Sequence, residues 1–175
     1  MQHFWGKVPV INATAYYYFN KGERVQRLIH QLKYKGRKDV GEFIGRIMGA
    51  ELLKSNFNKI ELVVPVPLHI SRMRERGYNQ SDYFARGLAK GLKKDYSLNA
   101  LVRTQATSTQ TRKLRFERYQ NVDNIFHVAD ENAVKNKCIL LIDDVITTGS
   151  TLISCTEALL SVPGTSVYIS AIASA

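Results

Sequence analysis

The sequence predicts an α/β fold in which an open, mainly parallel sheet is flanked by helices. Two near-continuous apolar runs, IELVVPVP (60–67) and CILLI (138–142), are typical of strands that are buried on both faces. Segments with apolar residues at helical spacing lie between the predicted strands, and this alternation is typical of parallel sheets. A chain of 175 residues suits one domain with a full core, so we predict a single domain over residues 1–175.

The first third of the chain predicts a strand followed by two helices. VPVINATAYYYF (8–19) is rich in β-branched and aromatic residues and is interpreted as a strand, with a hairpin broken near Asn12 as the alternative. GERVQRLIHQLKYKG (22–36) and DVGEFIGRIMGAELL (39–53) then place apolar residues three and four positions apart. Both segments are therefore predicted helices.

The remaining elements continue the alternation. Strand 60–67 is followed by a basic loop and by a helix that begins near Gln80. A short strand at 101–104 and another at 125–128 enclose a long polar segment. The last predicted elements are the strand CILLI, a loop, a helix over 149–160 and a closing strand VYISAIA (167–173).

Composition narrows the classes of function. The apolar fraction of 45% is typical of a globular protein, and no apolar run approaches the roughly 20 residues that span a bilayer. No signal-peptide pattern opens the chain, so we expect a cytoplasmic protein without a membrane partner. Two cysteines and four scattered histidines offer no metal-ligand spacing, and no zinc site is expected. The formal net charge of +10 favours an anionic partner: a phosphorylated metabolite, nucleic acid or an anionic surface.

Two adjacent carboxylates, Asp143 and Asp144, are expected at the carboxyl end of the CILLI strand, where parallel sheets bind ligands. Neighbouring carboxylates repel each other and resist burial, so they need hydroxyls, a metal or cations, and ribose hydroxyls would suit them. The following loop offers hydroxyls, a glycine and the N–H groups of a helix start, which suit a phosphate. The loop residues are Thr147, Thr148, Gly149, Ser150 and Thr151. Together these residues predict a site for a ribose 5-phosphate; the alternative is that Asp144 and Thr147 only cap the turn and helix.

The stretch from Ile139 to Thr151, an apolar strand followed by Asp-Asp-Val-x-Thr-Thr-Gly-x-Thr, resembles the signature of type I phosphoribosyltransferases. These enzymes bind 5-phosphoribosyl 1-diphosphate (PRPP), usually as its magnesium complex. The resemblance implies that Asp143 and Asp144 hold the ribose and that the loop 147–151 holds the 5-phosphate. It also implies that Mg²⁺ is held mainly by PRPP, with no protein-only metal site.

A second anion site, for the diphosphate, is expected at a neighbouring strand end. LHISRMRERGYNQ (68–80) carries three arginines at i, i+2 and i+4, which would not face one way on a regular helix, so we predict a loop that wraps an anion. A solvated basic surface is the alternative. The segment resembles that of the phosphoribosyltransferase-like ComF (competence protein F) family, which implies a diphosphate loop, in type I enzymes often with a strained or cis peptide. Its candidate residues are Leu68, His69, Arg72, Arg74 and Arg76.

The third candidate segment, RTQATSTQTRKLRFERYQNVDNIF (103–126), is long, polar and basic, and such segments are usually lids or binding loops. It resembles the flexible catalytic loop of ComF proteins and, more loosely, that of amidophosphoribosyltransferases. The resemblance implies a flexible loop over residues 105–120, with Gln110, Arg112 and Arg118 as its functional residues. A surface hairpin without chemistry is the alternative.

The ComF resemblance covers nearly the whole chain, from FWG (4–6) onward, and implies transfer of the 5-phosphoribosyl group from PRPP to an unidentified nitrogen acceptor, with release of diphosphate. Closure of the loop 105–120 would exclude water, and a hood built from residues 1–25 would select the acceptor. No cysteine pairs of a ComF zinc ribbon precede FWG, which favours a truncation or a naturally bare domain. The glutaminase domain and amino-terminal cysteine of an amidophosphoribosyltransferase are also missing.

A second interpretation is a PRPP-sensing or DNA-associated protein that has kept the fold without turnover. ComF membership implies a link to DNA uptake, and the basic character permits nucleic-acid binding. The arginine segment and the polar segment 103–126 favour catalysis as the leading prediction. A homodimer is left open, and the acceptor has no signal in the sequence that names it.

Overall fold

The computed structural model of the protein describes residue 4 and residues 6–18, 24–104 and 125–174. This part of the chain contains a series of strands in the order that the sequence predicts, with the short strand β3 in addition. They are β1 (Asn12–Tyr18), β2 (Leu62–Pro65), β3 (Asp95–Tyr96), β4 (Leu101–Arg103), β5 (Phe126–Val128), β6 (Cys138–Ile146) and β7 (Ser166–Ser174).

Helices connect and cover these strands. The helices of the described residues are α1 (Arg24–Tyr34), α2 (Lys38–Leu52), α3 (Ile70–Arg76), α4 (Gln80–Leu92), α5 (Glu131–Val134) and α6 (Ser150–Leu160), with a 3₁₀ turn at Asn56–Lys59. None of these helices is long and apolar enough to cross a lipid bilayer.

The central sheet has the strand order β1-β7-β6-β2-β3, and its four pairings are all parallel. Strands β4 and β5 form a separate antiparallel pair. The predicted α/β architecture is therefore confirmed. The hairpin considered for residues 8–19 is wrong, because Asn12–Tyr18 form one strand that pairs in parallel with β7 at the edge of the sheet.

The continuous apolar runs fill two hydrophobic layers, one on each face of the sheet. Ile139 and Leu141 of β6 pack with α6 and the β4–β5 pair, while Leu140 and Ile142 pack with α1, α2 and α4. Successive side chains of a strand point to opposite faces, so a strand covered on both sides must be apolar at every position. This is why CILLI lacks the polar alternation of a half-exposed strand.

Helices α2 and α4 approach each other unusually closely, and glycines make this approach possible. A Cβ atom on Gly45 would lie 2.3 Å from the carbonyl oxygen of Phe84, and one on Gly87 would lie 2.1 Å from that of Glu42. Gly49 and Gly91 make similar backbone contacts one turn further along the two helices. The close contact brings α2 against α4, whose first turn lies beside the carboxyl ends of β2 and β6.

Candidate functional site

The acidic pair lies inside strand β6 and not after it, because β6 continues to Ile146. The expectation that the strand ends before Asp143 is therefore wrong: β6 still pairs with β7 at Asp143, Val145 and Ile146. The two carboxylates consequently point to opposite faces of the sheet. Asp144 is buried, and Asp143 is partly buried.

Asp144 points toward helices α1 and α4. Its Oδ2 atom lies 2.7 Å from Nζ of Lys33, and the same oxygen accepts a hydrogen bond of 2.9 Å from Nε2 of Gln80. Both donors are held by helices that pack on the sheet, so the carboxylate has a fixed orientation. An ammonium partner also offsets part of the cost of burying this charge.

Asp143 points toward the loop that precedes α6. Its Oδ1 atom accepts hydrogen bonds from its neighbour's backbone, Asp144 N at 2.8 Å, and from Oγ of Ser81 at 3.4 Å. Burial, followed by repulsion from the Asp144 carboxylate, raises the pKa of Asp143 from 3.8 to about 7. Asp143 therefore changes its charge near neutral pH.

Each carboxylate keeps one oxygen that no described residue engages. Oδ2 of Asp143 and Oδ1 of Asp144 accept no hydrogen bond from residues 4, 6–18, 24–104 or 125–174. Carboxylate oxygens accept hydrogen bonds strongly, and hydroxyl groups are suitable donors. The pair thus offers two acceptors to a ligand such as a diol.

The loop Thr147–Thr151 forms a small cavity of about 30 Å³ beside Asp143. Gly149 has a φ of 78° and begins α6 without any side-chain cap, so the glycine provides the positive φ that this turn needs. The hydroxyls of Thr148 and Ser150 lie 2.9 Å apart, and Thr147, Thr148, Ser150 and Thr151 are all exposed. The N–H groups of the helix start and these hydroxyls are suitable donors for a phosphate.

The alternative in which Asp144 only caps α6 is wrong. The N-cap position of α6 is Gly149, and the Asp144 carboxylate is engaged on the opposite side of the sheet by Lys33 and Gln80. At the start of α6 the Ser150 N–H donates a hydrogen bond of 3.4 Å to Oγ1 of Thr148, and Gly149 itself has no side chain that could cap the helix. Capping of α6 therefore does not explain why the carboxylates of Asp143 and Asp144 are withdrawn from solvent.

The arginine segment is a helix, so the loop predicted for Arg72 to Arg76 is wrong. Nδ1 of His69 accepts a hydrogen bond of 3.2 Å from the backbone N–H of Ser71 at the start of α3, and Gly77 ends the helix with a φ of 74°. These two caps stabilise one short helix despite its charge. The described residues contain no cis peptide bond.

The three arginines therefore face different surroundings. Arg72 and Arg74 are exposed, and on a helix of 3.6 residues per turn they point about 200° apart. Arg76 is partly buried: its guanidinium lies 5.2 Å from the ring centre of Tyr34 and donates a hydrogen bond of 3.0 Å to Oε1 of Gln80. Arg76 is thus engaged within the protein, which leaves Arg72 and Arg74 as the two exposed cations of α3.

A second cavity of about 320 Å³ lies between the start of α3 and strand β4. Leu68 and His69 form part of one wall, and Arg103 forms part of the other. Asp82 also lines this cavity, and burial raises the pKa of Asp82 to about 6. Two of the five candidates for the diphosphate loop therefore share a cavity with an acidic residue.

Several residues of the site were not found from the sequence. Lys33, Gln80, Ser81 and Asp82 contact the acidic pair or line a cavity, yet none belongs to the quoted signature. Gln80 to Asp82 form the first turn of α4, and the helix predicted to begin near Gln80 was the feature of the sequence that pointed to them. Lys33 is more than 100 residues before its partner Asp144 in the chain, and no local pattern of the sequence indicates this contact.

The candidates Gln110, Arg112 and Arg118 lie outside the described residues, as does the whole of 105–120. The strands on either side, β4 and β5, are an antiparallel pair and agree with the predicted strands at 101–104 and 125–128.

Among the described residues, no three His, Cys, Asp or Glu side chains are grouped as a metal site.

A match to a model of a known protein family identifies the family of this chain. The model of the phosphoribosyl transferase domain matches residues 79–174, which include Ser81, the acidic pair and the loop 147–151. The chain belongs to the phosphoribosyltransferase family. The resemblance of its β6 segment to the type I signature is thereby confirmed.

Curated relatives place this phosphoribosyltransferase domain with ComF proteins. It is 34% identical over 137 residues to DNA utilization protein YhgH of Escherichia coli (strain K12), across 76% of this chain and 60% of the relative. It is 40% identical over 93 residues to competence protein F of Haemophilus influenzae, across 53% of this chain and 41% of the relative. These matches confirm the ComF resemblance. The chain spans about three fifths of the length of the first of these relatives.

Solved structures show the same fold. The glutamine PRPP amidotransferase from B. subtilis, complexed with ADP and GMP, superposes with a TM-score of 0.55 at 20% identity, across 80% of this chain and 30% of that chain. At this identity the likeness concerns the fold alone. The phosphoribosyltransferase domain therefore has the type I fold that its sequence predicts.

Proposed function

We propose that this domain binds PRPP with Mg²⁺ across Asp143, Asp144 and the loop 147–151, and transfers its phosphoribosyl group to a nitrogen acceptor. One observation carries the proposal: two carboxylates, each with one unengaged oxygen, lie beside a helix start whose N-cap residue is a glycine without a capping side chain. In the proposed complex, the carboxylates accept hydrogen bonds from the ribose hydroxyls. The N–H and hydroxyl groups of the loop donate to the 5-phosphate.

The proposed reaction breaks the bond between C1 of the ribose and the diphosphate oxygen, and forms a bond between C1 and the acceptor nitrogen. The nitrogen loses a proton, and diphosphate leaves with the bonding electrons. Positive charge develops on the ribose ring during this exchange, so a negatively charged environment under the ring lowers the barrier. Asp143 and Asp144 supply that charge and fix the ring, and no nucleophilic side chain is required.

Magnesium enters this proposal as part of the ligand. When bound to PRPP it neutralises the diphosphate and makes it a better leaving group. The described residues fit this arrangement, because they provide an acidic pair with free oxygens. The exposed Arg72 and Arg74 are the proposed protein cations for the diphosphate, and Leu68 and His69 lie at the start of the same segment.

The test is calorimetry of PRPP with Mg²⁺ against the unaltered protein and the double variant Asp143→Asn/Asp144→Asn. The double variant replaces two charged acceptors of the ribose by neutral ones, so we expect its affinity to fall by about 100-fold or more. Asp95→Asn, which changes an exposed carboxylate of β3, is the matched control and should bind as the unaltered protein does. Equal affinities of the double variant and the control would contradict the proposed site.

A second candidate function is nucleic-acid binding. The formal charge of +10, the exposed Arg72 and Arg74, and the names of the relatives, DNA utilization protein and competence protein F, support it. Binding to phosphates should weaken steeply with salt, the logarithm of the affinity falling by about 0.7 per neutralised phosphate of a single strand for each tenfold rise in salt. We expect Arg72→Gln/Arg74→Gln to lower this slope in fluorescence anisotropy with labelled single-stranded DNA. An unchanged slope would exclude the two arginines from a nucleic-acid interface.

A further inference from the structure

The carboxyl end of α1 contacts two parts of the candidate site at once. Lys33 lies 2.7 Å from Asp144, and the ring of the adjacent Tyr34 lies 5.2 Å from the guanidinium of Arg76. Gln80 connects these two contacts, since it accepts a hydrogen bond from Arg76 and donates one to Asp144. These five residues, which we call the α1 clamp, connect helices α1, α3 and α4 with strand β6.

We propose that Lys33 is a positioning residue which holds Asp144 in its ligand-binding orientation, and that Arg76 supports it through Gln80. The role in ligand binding rests on the proposed function. The side chains of Lys33, Gln80 and Arg76 need not contact PRPP themselves. They would act by leaving Oδ1 of Asp144 as the oxygen that faces the ligand.

The hydrogen bonds of the clamp determine which oxygen of Asp144 is available. Lys33 and Gln80 both approach Oδ2, which leaves Oδ1 without a partner among the described residues. A carboxylate has two equivalent oxygens, so two donors on one of them fix its rotation. Loss of one donor would allow the group to turn and to engage its free oxygen.

Arg76 determines which end of the Gln80 amide meets the carboxylate. A guanidinium has only donors, so it must face the amide oxygen of Gln80, at 3.0 Å. The amide nitrogen is thereby directed to Asp144. A reversed amide would place an oxygen against the carboxylate, and two acceptors would repel each other. This explains why Arg76, predicted to bind diphosphate, is engaged inside the protein.

The Asp144 carboxylate is buried, so it depends on the ammonium of Lys33 to compensate its charge. Asp144 is only 6% exposed and lies next to another carboxylate, so an uncompensated charge there would be costly. Among the described residues, the thiol of Cys155 on α6 is buried near Asp143, and Arg103 of β4 lies near that thiol. Lys33 is the ion-pair partner of Asp144 within the described part of the chain.

The test compares Lys33→Met, Lys33→Arg and Lys35→Met. Methionine keeps much of the length of lysine without its charge, arginine keeps the charge, and Lys35 is an exposed lysine of the same segment. Two quantities are measured: the Kd for PRPP with Mg²⁺ by calorimetry, and the titration of Asp143 by NMR of ¹³C-carboxyl-labelled aspartate. The second measurement uses the protein without ligand. Melting temperatures show that each variant is folded.

We expect Lys33→Met to raise the Kd about tenfold at pH 7, since one charge-assisted hydrogen bond to Asp144 is lost. Lys33 also lowers the pKa of Asp143, so its removal should move the NMR titration of Asp143 to higher pH. Lys33→Arg should restore both values, and Lys35→Met should change neither. If Lys33 had only a structural role, Lys33→Met would lower the melting temperature and weaken the binding of PRPP. The pH at which Asp143 titrates would then stay the same.

The outcomes separate this inference from the proposed function. If the unaltered protein binds no PRPP, the proposed function fails, while the titration in the free protein still tests the action of Lys33 on the acidic pair. If Lys33→Met and Lys35→Met agree in both affinity and titration, the positioning role of Lys33 is overturned. If Gln80→Leu retains full PRPP affinity, the support that Arg76 gives through Gln80 is overturned.

Discussion

Alanine in place of Gly87 is expected to lower the free energy of unfolding by about 3 kcal/mol or more, at the upper end of the cost of overpacking a core. The added Cβ would lie 2.1 Å from the carbonyl oxygen of Glu42 and 2.8 Å from its carbonyl carbon. Both atoms belong to the backbone of α2, so no change of rotamer can relieve the contact. The two helices would have to separate along their whole interface, and this would disturb packing over α4.

The alanine itself favours a helix by about 1 kcal/mol over glycine, so the measured loss understates the cost of the steric contact. Gly41→Ala is the matched control, because its tightest Cβ contact would be the end of the Leu32 side chain, at 3.1 Å, which can move, and its backbone contact, Phe84 N at 3.7 Å, is an ordinary one. Chemical denaturation of both variants provides the comparison, and Gly45→Ala should behave like Gly87→Ala. Similar stabilities for Gly41→Ala and Gly87→Ala would show that the helices can separate without cost.

The sequence predicted the sheet and the position of the loop 147–151 because both depend on local patterns. CILLI is apolar at each position because both faces of β6 are covered, and this is visible without the fold. The loop 147–151 follows the strand directly, so its position at the sheet edge also needed no tertiary information. The glycines of α2 and α4 are visible in the sequence, but their role in close packing depends on which helices contact each other.

Residues that act across the fold could not be predicted in this way. Lys33 reaches Asp144 from a helix more than 100 residues earlier in the chain, and Gln80 reaches it from a different helix. The spacing of the three arginines predicted a loop in place of α3, because they cannot share one face of a helix, but caps at His69 and Gly77 stabilise the helix. Short helices depend on such caps more than on helix propensity.

The charge of Asp143 connects the stability of the domain with the proposed function. Its pKa is raised to about 7 in the folded protein, against an ordinary value of 3.8, because it is buried beside Asp144. A carboxyl group with a raised pKa binds its proton more tightly in the folded state, so the folded protein loses stability as pH rises from about 4 to 7. Above pH 7 the cost remains constant. An acidic pair without a ligand is thus a source of strain.

Asp143→Asn should therefore stabilise the domain while it weakens PRPP binding. At pH 8 we expect an increase in the free energy of unfolding of about 2 kcal/mol, roughly half of the full linkage value because Asp143 is only partly buried. Asparagine keeps the oxygen that accepts hydrogen bonds from Asp144 N and Ser81, so the local contacts persist. The affinity for PRPP should fall about tenfold or more, because a charged acceptor is lost.

Denaturation of the variant and the unaltered protein between pH 4 and pH 9 tests this prediction. The stability difference should be small at pH 4, close to the ordinary pKa of 3.8 where the folded and unfolded states begin to differ in protonation, should grow up to about pH 7 and should then stay level. Asp95→Asn should show no such growth. A variant that is less stable at pH 8 would mean that Asp143 supports the fold. A gain in stability together with a loss of PRPP affinity would mean that burying two adjacent carboxylates is a cost of ligand binding.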